Sequence, residues 1–151
     1  MPITKLETRI KGEIEVVFDL ARSIDLHQLS AVKTNEEAIG SRKTGLMELG
    51  EEVTWRAKHF GIYQRLTSKM TEMEKHSLFV DEMTKGIFKG FRHEHHFKDV
   101  DGEIIMTDIL NYTSPLGVLG NMADKLFLEK YMTDFLTKRN EVIKAYAEEK
   151  E

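Results

Sequence analysis

A chain of 151 residues, 40% apolar and 32% charged, is long enough to bury one sizeable core and too short for two; its eight Phe, four Tyr and one Trp exclude disorder over most of its length. The absence of cysteine removes disulfide scaffolds, zinc knuckles, thiolate nucleophiles and iron–sulfur ligation together. A net charge of −4 argues against a dedicated nucleic-acid binder.

The opening MPITKLETRIKGE carries charges at Lys5, Glu7, Arg9 and Lys11 and lacks the apolar run of a secretory signal. With no cysteine to protect, this start fits a cytoplasmic protein. The longest uncharged stretch, residues 109–123, is interrupted by Asn, Thr, Ser, Pro and Gly, so no integral membrane association is expected.

Residues Ile3 to Ile10 alternate, with Leu6, Thr8 and Ile10 on the apolar face, and predict a half-buried strand. After Gly12, the residues Ile14, Val17, Phe18 and Ala21 recur at the spacing of one helix face and predict a short amphipathic helix over Glu13–Ser23. Ser23 or Asp25 caps a second short helical turn through Leu29, and Val32 to Ser41 reads as a polar loop.

The punctuation then changes to glycines and short polar turns between runs rich in Val, Thr, Ile and aromatic residues, which predicts a strand meander. Its runs are Arg42–Glu48, Glu51–Phe60, Tyr63–Glu74, Leu78–Thr84, Phe88–Phe97 and Glu103–Tyr112. Turns fall near Leu49-Gly50, Gly61-Ile62, Lys75-His76, Gly86 and Asp101-Gly102, and the Asp-Gly pair is the strongest hairpin signal. Two basic strips, one with Arg56, Lys58, Arg65 and Lys69 and one with Lys85, Lys89, Arg92 and Lys98, read as solvated strand faces.

Past Pro115, Gly117 and Gly120 the period becomes helical. Leu128, Tyr131, Met132, Phe135, Leu136, Arg139, Val142 and Ile143 follow one stripe, with Asn121 or Asp124 as cap, and predict one helix from Asn121 to about Ala145. That stripe needs an apolar partner, and the concave face of the strands is the only surface large enough. The expected architecture is an α+β helix-grip fold, a single domain over residues 1–151. A curved seven-stranded antiparallel sheet wraps the long C-terminal helix, two short helices follow strand 1, and a cavity lies between sheet and helix.

The stretches GLMELGEEVTWRAKHFG and RHEHHF, and the pair Thr107-Asp108 shortly before Pro115-Leu116-Gly117, resemble the bacterial polyketide cyclase/dehydratase-like proteins of the SRPBCC (START/Bet v 1-like) superfamily. The resemblance runs over nearly the whole chain and implies the same helix-grip fold. It leaves function open, because that superfamily holds lipid carriers, receptors for hydrophobic ligands, aromatic cyclases and chaperone activators on one scaffold.

Strand alternation decides which side chains face such a cavity. In the run Phe88–Phe97 the odd set, Phe91, His93, His95 and Phe97, is the aromatic one and is expected inward; in Glu51–Phe60 the inward set is Val53, Trp55, Ala57 and His59. Histidines on an apolar strand face are usually neutral and hydrogen-bonded, which makes His59, His93 and His95 ligand-orienting or structural groups first and weak catalytic candidates second. Trp55, Met70, Met83, Phe91, Met106, Tyr112, Met132 and Phe135 complete the expected ligand-binding set, since thioethers and rings adapt to irregular apolar ligands.

No metal site or cofactor is expected. GSRKTGLM puts Leu46 where a phosphate loop needs lysine, and neither a HExxH helix, a GxSxG elbow nor a dinucleotide fingerprint occurs. The sequence therefore points to binding of a small hydrophobic or amphipathic molecule for transport, sequestration or sensing. A cyclase or dehydratase using the cavity histidines is the alternative, and a protein-interaction module of the chaperone-activator kind a further one.

Overall fold

The alternating start of the chain forms strand β1 (Ile3–Lys11), with Thr4 and Ile10 buried and Leu6 and Thr8 half-buried on one face. A computed structural model describes residues 3–31, 35–40, 42–59, 62–86, 88–113 and 128–149, His59 by its backbone alone. Helix α1 (Ile14–Ala21) turns Val17, Phe18 and Ala21 inward, as its spacing requires. Ser23, not Asp25, caps α2 (Ile24–Ser30), its Oγ accepting from the Leu26 amide at 3.1 Å. Asp25 instead accepts from the Gly45 amide at 3.0 Å.

Strands β2 (Glu37–Ile39), β3 (Glu52–His59), β4 (Ile62–Glu74), β5 (Leu78–Lys85), β6 (Gly90–Val100) and β7 (Glu103–Thr113) join β1 in one seven-stranded sheet. Its order is β1-β7-β6-β5-β4-β3-β2, and every neighbouring pair is antiparallel. The strand count agrees with the sequence reading, but the second strand lies elsewhere. Residues Arg42–Glu48 form no strand, because their backbone is taken up by the α1–α2 junction: the Ile24 amide donates to the Gly45 carbonyl at 2.9 Å and the Met47 amide to the Arg22 carbonyl at 3.1 Å. Gly45 adopts a φ of +92°, which an extended strand does not tolerate, and the Arg42 guanidinium folds back onto the Leu46 carbonyl. The sheet edge is closed instead by β2, inside the stretch read as a loop, where buried Ala38 pairs opposite Trp55.

Asp101 and Gly102, at φ of 54° and 85°, make the two-residue connection between Val100 and Glu103 that the Asp-Gly signal predicts. Ile62, expected in a turn, begins β4 opposite His59, and Gly61 lies outside the described residues. Register shifts in β4 at Thr67/Ser68 and Met70/Glu72 add bend to the sheet. On the outer face the basic strips are drawn into ion pairs, Arg92 with Glu72 of β4, Glu82 of β5 and Glu94 of its own strand, and Arg56 with Glu37.

Helix α3 (Glu129–Glu149) ends beyond the expected Ala145 and packs on β1, α1 and α2. The expected caps Asn121 and Asp124, with Pro115, Gly117 and Gly120, lie outside the described residues. Phe18 wedges α1 into the end of the sheet, edge-on to Phe79 at 5.5 Å and to Phe97 at 5.1 Å. Its complete burial stabilises the fold by about 1.5–3 kcal/mol. Ile10, Ile104, Met106 and Ile143 complete that core, and Leu110, Tyr112 and Leu136 with Phe88 and Phe91 form a second cluster.

Candidate functional site

A cavity of about 560 Å³ lies between the concave sheet face and α3, a volume suited to a drug-sized molecule. Tyr131, Met132 and Phe135 of the α3 stripe are only half-buried because they border this space. The opposing walls are Val53, Trp55 and Ala57 of β3, Met70 of β4, Phe79 of β5, Phe91 of β6 and Leu110 of β7. Of the residues singled out in the sequence, Trp55, Met70, Phe91, His93, His95, Met132 and Phe135 meet at this cavity.

Three others do not reach its wall. Met106 is completely buried in the core under α1, and Tyr112 packs in the second cluster. Met83 folds over Gly86, its Sδ 2.8 Å from where a Cβ there would stand. Periodicity assigns a residue to a face, whereas the cavity occupies only part of that face. The side chain of His59 lies outside the described residues.

One stretch of wall is charged. Asp81 (β5), His93 and His95 (β6), Asp108 (β7) and Arg139 and Asn140 (α3) form a hydrogen-bonded group. His93 Nε2 meets Asp108 Oδ1 at 2.7 Å and His95 Nε2 meets Asp81 Oδ2 at 2.8 Å. The Arg139 guanidinium reaches Asp108 Oδ1, Asn140 Oδ1 and the Ala21 carbonyl, each at 3.2 Å, and His95 Nδ1 at 3.3 Å. Asn140 donates to the other Asp108 oxygen at 2.7 Å and to Thr8 Oγ1 at 3.1 Å. The two imidazoles stack at 3.7 Å, and Phe79 stacks on the outer face of His95 at 4.0 Å. A second polar station comes from α2, where His27 Nε2 meets Glu36 Oε1 at 2.5 Å and the His27 ring leans on Trp55 at 4.4 Å.

Solved structures of other proteins share the arrangement of sheet and helices. A Thermus thermophilus protein aligns with a TM-score of 0.73 at 18% identity, covering 97% of this chain and 99% of its own. A START superfamily protein from Mycobacterium smegmatis gives 0.72 at 11% identity, covering 99% of both chains. Ginseng major latex-like protein 151 from Panax ginseng gives 0.70 at 15% identity, covering 97% of both. This is the helix-grip fold of the START and Bet v 1 superfamily. No family model matches the sequence, and no curated protein does.

Within this helix grip the hydrogen bonds assign the protons. A guanidinium only donates, so His95 Nδ1 accepts from Arg139 and its Nε2 hydrogen goes to Asp81. Burial and the neighbouring His95, against the pull of Asp108, push His93 down to about 4, so it is neutral at pH 7. Its Nε2 hydrogen is given to Asp108, and its Nδ1 remains a bare acceptor. Burial acts to raise both carboxyls, but His95 outweighs it at Asp81, and His93, His95 and Arg139 hold Asp108 well below the usual carboxylate range. Two carboxylates, Asp81 and Asp108, thus share the group with the Arg139 guanidinium.

Asp81, His93 and His95 each bring one ligand atom within 4.8 Å of the others, close enough to consider a divalent ion. The rings, however, stack at an interplanar angle of only 26°, so their in-plane lone pairs run nearly parallel and do not converge on a point. Both Nε2 atoms also already serve carboxylates. Coordination by both rings would require swinging one of them out of its hydrogen bond.

Among the polar residues of the site, Asp81, Asp108, Arg139 and Asn140, with His27 and Glu36, are not assigned to it by the sequence reading. The signal was present in two places. Asp108 stands at an inward position of β7 between Met106 and Leu110, and Arg139 interrupts the apolar stripe of α3, two opposite charges at core positions.

Proposed function

We propose that this protein binds a small, largely apolar molecule in the cavity between sheet and α3, for transport, sequestration or sensing. The observation that carries the reading is the 560 Å³ space itself, walled mainly by aromatic and aliphatic side chains and interrupted by a few charged groups, the Asp81–His93–His95–Arg139 patch foremost. Apolar burial, at about 25 cal/mol per Å², supplies affinity, and the patch orients whatever polar group the ligand carries. A cytoplasmic setting fits the cysteine-free composition, and among the described residues no helix is long and apolar enough to cross a membrane. The test is titration with the neutral fluorescent probe N-phenylnaphthylamine, joined to native mass spectrometry of freshly purified protein. Saturable binding by folded protein, or a co-purified small molecule, supports the reading. No binding to folded protein and no adduct would overturn it.

A cyclase or dehydratase of the polyketide type is the second reading. One observation favours it: His93 has Asp108 behind Nε2 and leaves Nδ1 bare, the arrangement of a general base. At about 4, however, His93 holds a proton weakly, which makes it a poor partner for an enolisable substrate near pH 7. Turnover of a polyketone by the wild type that is lost in His93→Phe would reverse this ranking.

A further inference from the structure

Among the described residues, the atoms that the Asp81–His93–His95 group leaves without a hydrogen bond are acceptors, and this restricts the ligand there. Arg139, the obvious partner for an anionic head group, has both terminal nitrogens engaged by Asp108, Asn140, Ala21 and His95. Arg22, also on the wall, is held by Asp19, Glu48 and the Met47 carbonyl. Asp81 differs. Its Oδ2 takes the His95 hydrogen, its Oδ1 has no hydrogen-bond partner among the described residues, and a quarter of its side chain is exposed, 25% against 4% for His95. His93 Nδ1 is the second acceptor beside it, and Glu36 adds a second carboxylate to the wall. Arg65, which has no ion pair among the described residues, also lines the cavity, from an exposed part of β4.

Resting on the hydrophobic-ligand reading, we propose that the molecule taken up enters with a hydrogen-bond donor foremost, an ammonium or similar cation above all, which binds the free oxygen of Asp81 and Nδ1 of His93; a carboxylate head group is rejected there. Asp81 and His93 each bring one ligand atom within 4.8 Å of the other's, which puts the two side chains within the span of a single ammonium group. Asp81 supplies a full negative charge to pair with the cation, and the aromatic lining favours it over an anion.

The test uses three probes that share one ring system and differ in the head: naphthylethylamine, naphthylethanol and naphthylacetate, titrated calorimetrically into the intact protein at neutral pH. The amine is expected to bind about ten- to a hundred-fold more tightly than the acetate, with the alcohol between. Asp81→Asn keeps an oxygen for the His95 hydrogen and removes the charge, and it is expected to bring amine and acetate within about threefold of each other. Acetate binding as tight as amine binding in the wild type overturns the assignment, and so does an unchanged order in a folded Asp81→Asn protein. Should the variant fail to fold, the wild-type order alone decides. If the alcohol binds and the amine gains nothing over it, the head-group assignment falls and the hydrophobic-ligand reading stands. If none of the three binds, the head-group assignment falls, and the hydrophobic-ligand reading falls with it only where N-phenylnaphthylamine also fails to bind and no small molecule co-purifies.

Discussion

Replacing His93 by Gln tests the electrostatics of the charged wall without reference to any ligand. Burial beside His95 holds His93 at about 4, against 6.5 for an ordinary imidazole. Between those values the unfolded chain carries a proton at this position and the native one does not, so acid favours the unfolded state. His93 thus leaves native stability undiminished above about pH 6.5, and stability falls by about 1.36 kcal/mol per pH unit as pH drops towards 4, a total of about 3 kcal/mol. Asp81 and Asp108 act below this window: their folded values are depressed from 3.8, so the stability they contribute is present above 3.8 and is lost as pH falls through the lowered values. The assay is urea unfolding in steps from about pH 4.5 to about pH 7.5. Gln retains an N–H for Asp108, so the variant is expected to fold and to lose most of that slope. A wild-type profile that is flat across the window, or an equal slope in both proteins, would refute the reasoning.

Arg139→Met leaves Asp108 buried without its cation and is expected to cost about 3–5 kcal/mol in chemical denaturation. Arg139→Lys should recover little of this, because one ammonium cannot span acceptors on α1, β6 and β7. Met132→Trp should weaken N-phenylnaphthylamine binding by about tenfold or more with the fold retained, since Met132 lines the cavity. Met106→Ala should do the reverse, costing about 2–5 kcal/mol of stability and leaving probe affinity unchanged, because Met106 is completely buried away from the cavity wall. Gly102→Val forces a β-branched residue to a φ of 85° and should lower stability by about 1–2 kcal/mol by the same denaturation assay.

The fold was legible because its elements carry distinct periods. The inward set Phe91, His93, His95 and Phe97, the Asp101-Gly102 turn and the α3 stripe each needed only local sequence. Strand β2 was not legible, since three residues are too few to show alternation and what makes them a strand is pairing with β3. The apolar part of the site followed from the fold, but its boundaries did not: Met106 and Met132 look alike in sequence, and only tertiary packing places one in the core and the other at the cavity. The acidic partners of the histidines were hidden for a further reason. Asp81 and His95 are 14 positions apart and Asp108 and Arg139 are 31 apart, joined through strand register and helix docking that local spacing does not encode.

The placement of Arg139 bears on how the chain assembles. Strands β3 to β7 form successive hairpins, but β1 reaches β7 across most of the sequence, with Arg9 bonded to Glu103 at a separation of 94 residues. The Arg139 guanidinium draws its acceptors from α1 at a separation of 118 residues, from β6 at 44 and from β7 at 31. A meander formed without the last helix therefore leaves the buried Asp108 carboxylate without its cation, and one formed without the first leaves an Arg139 N–H without its Ala21 acceptor. Partly assembled forms are penalised, and the N- and C-terminal segments are coupled into a single cooperative transition even though they meet only in the finished structure.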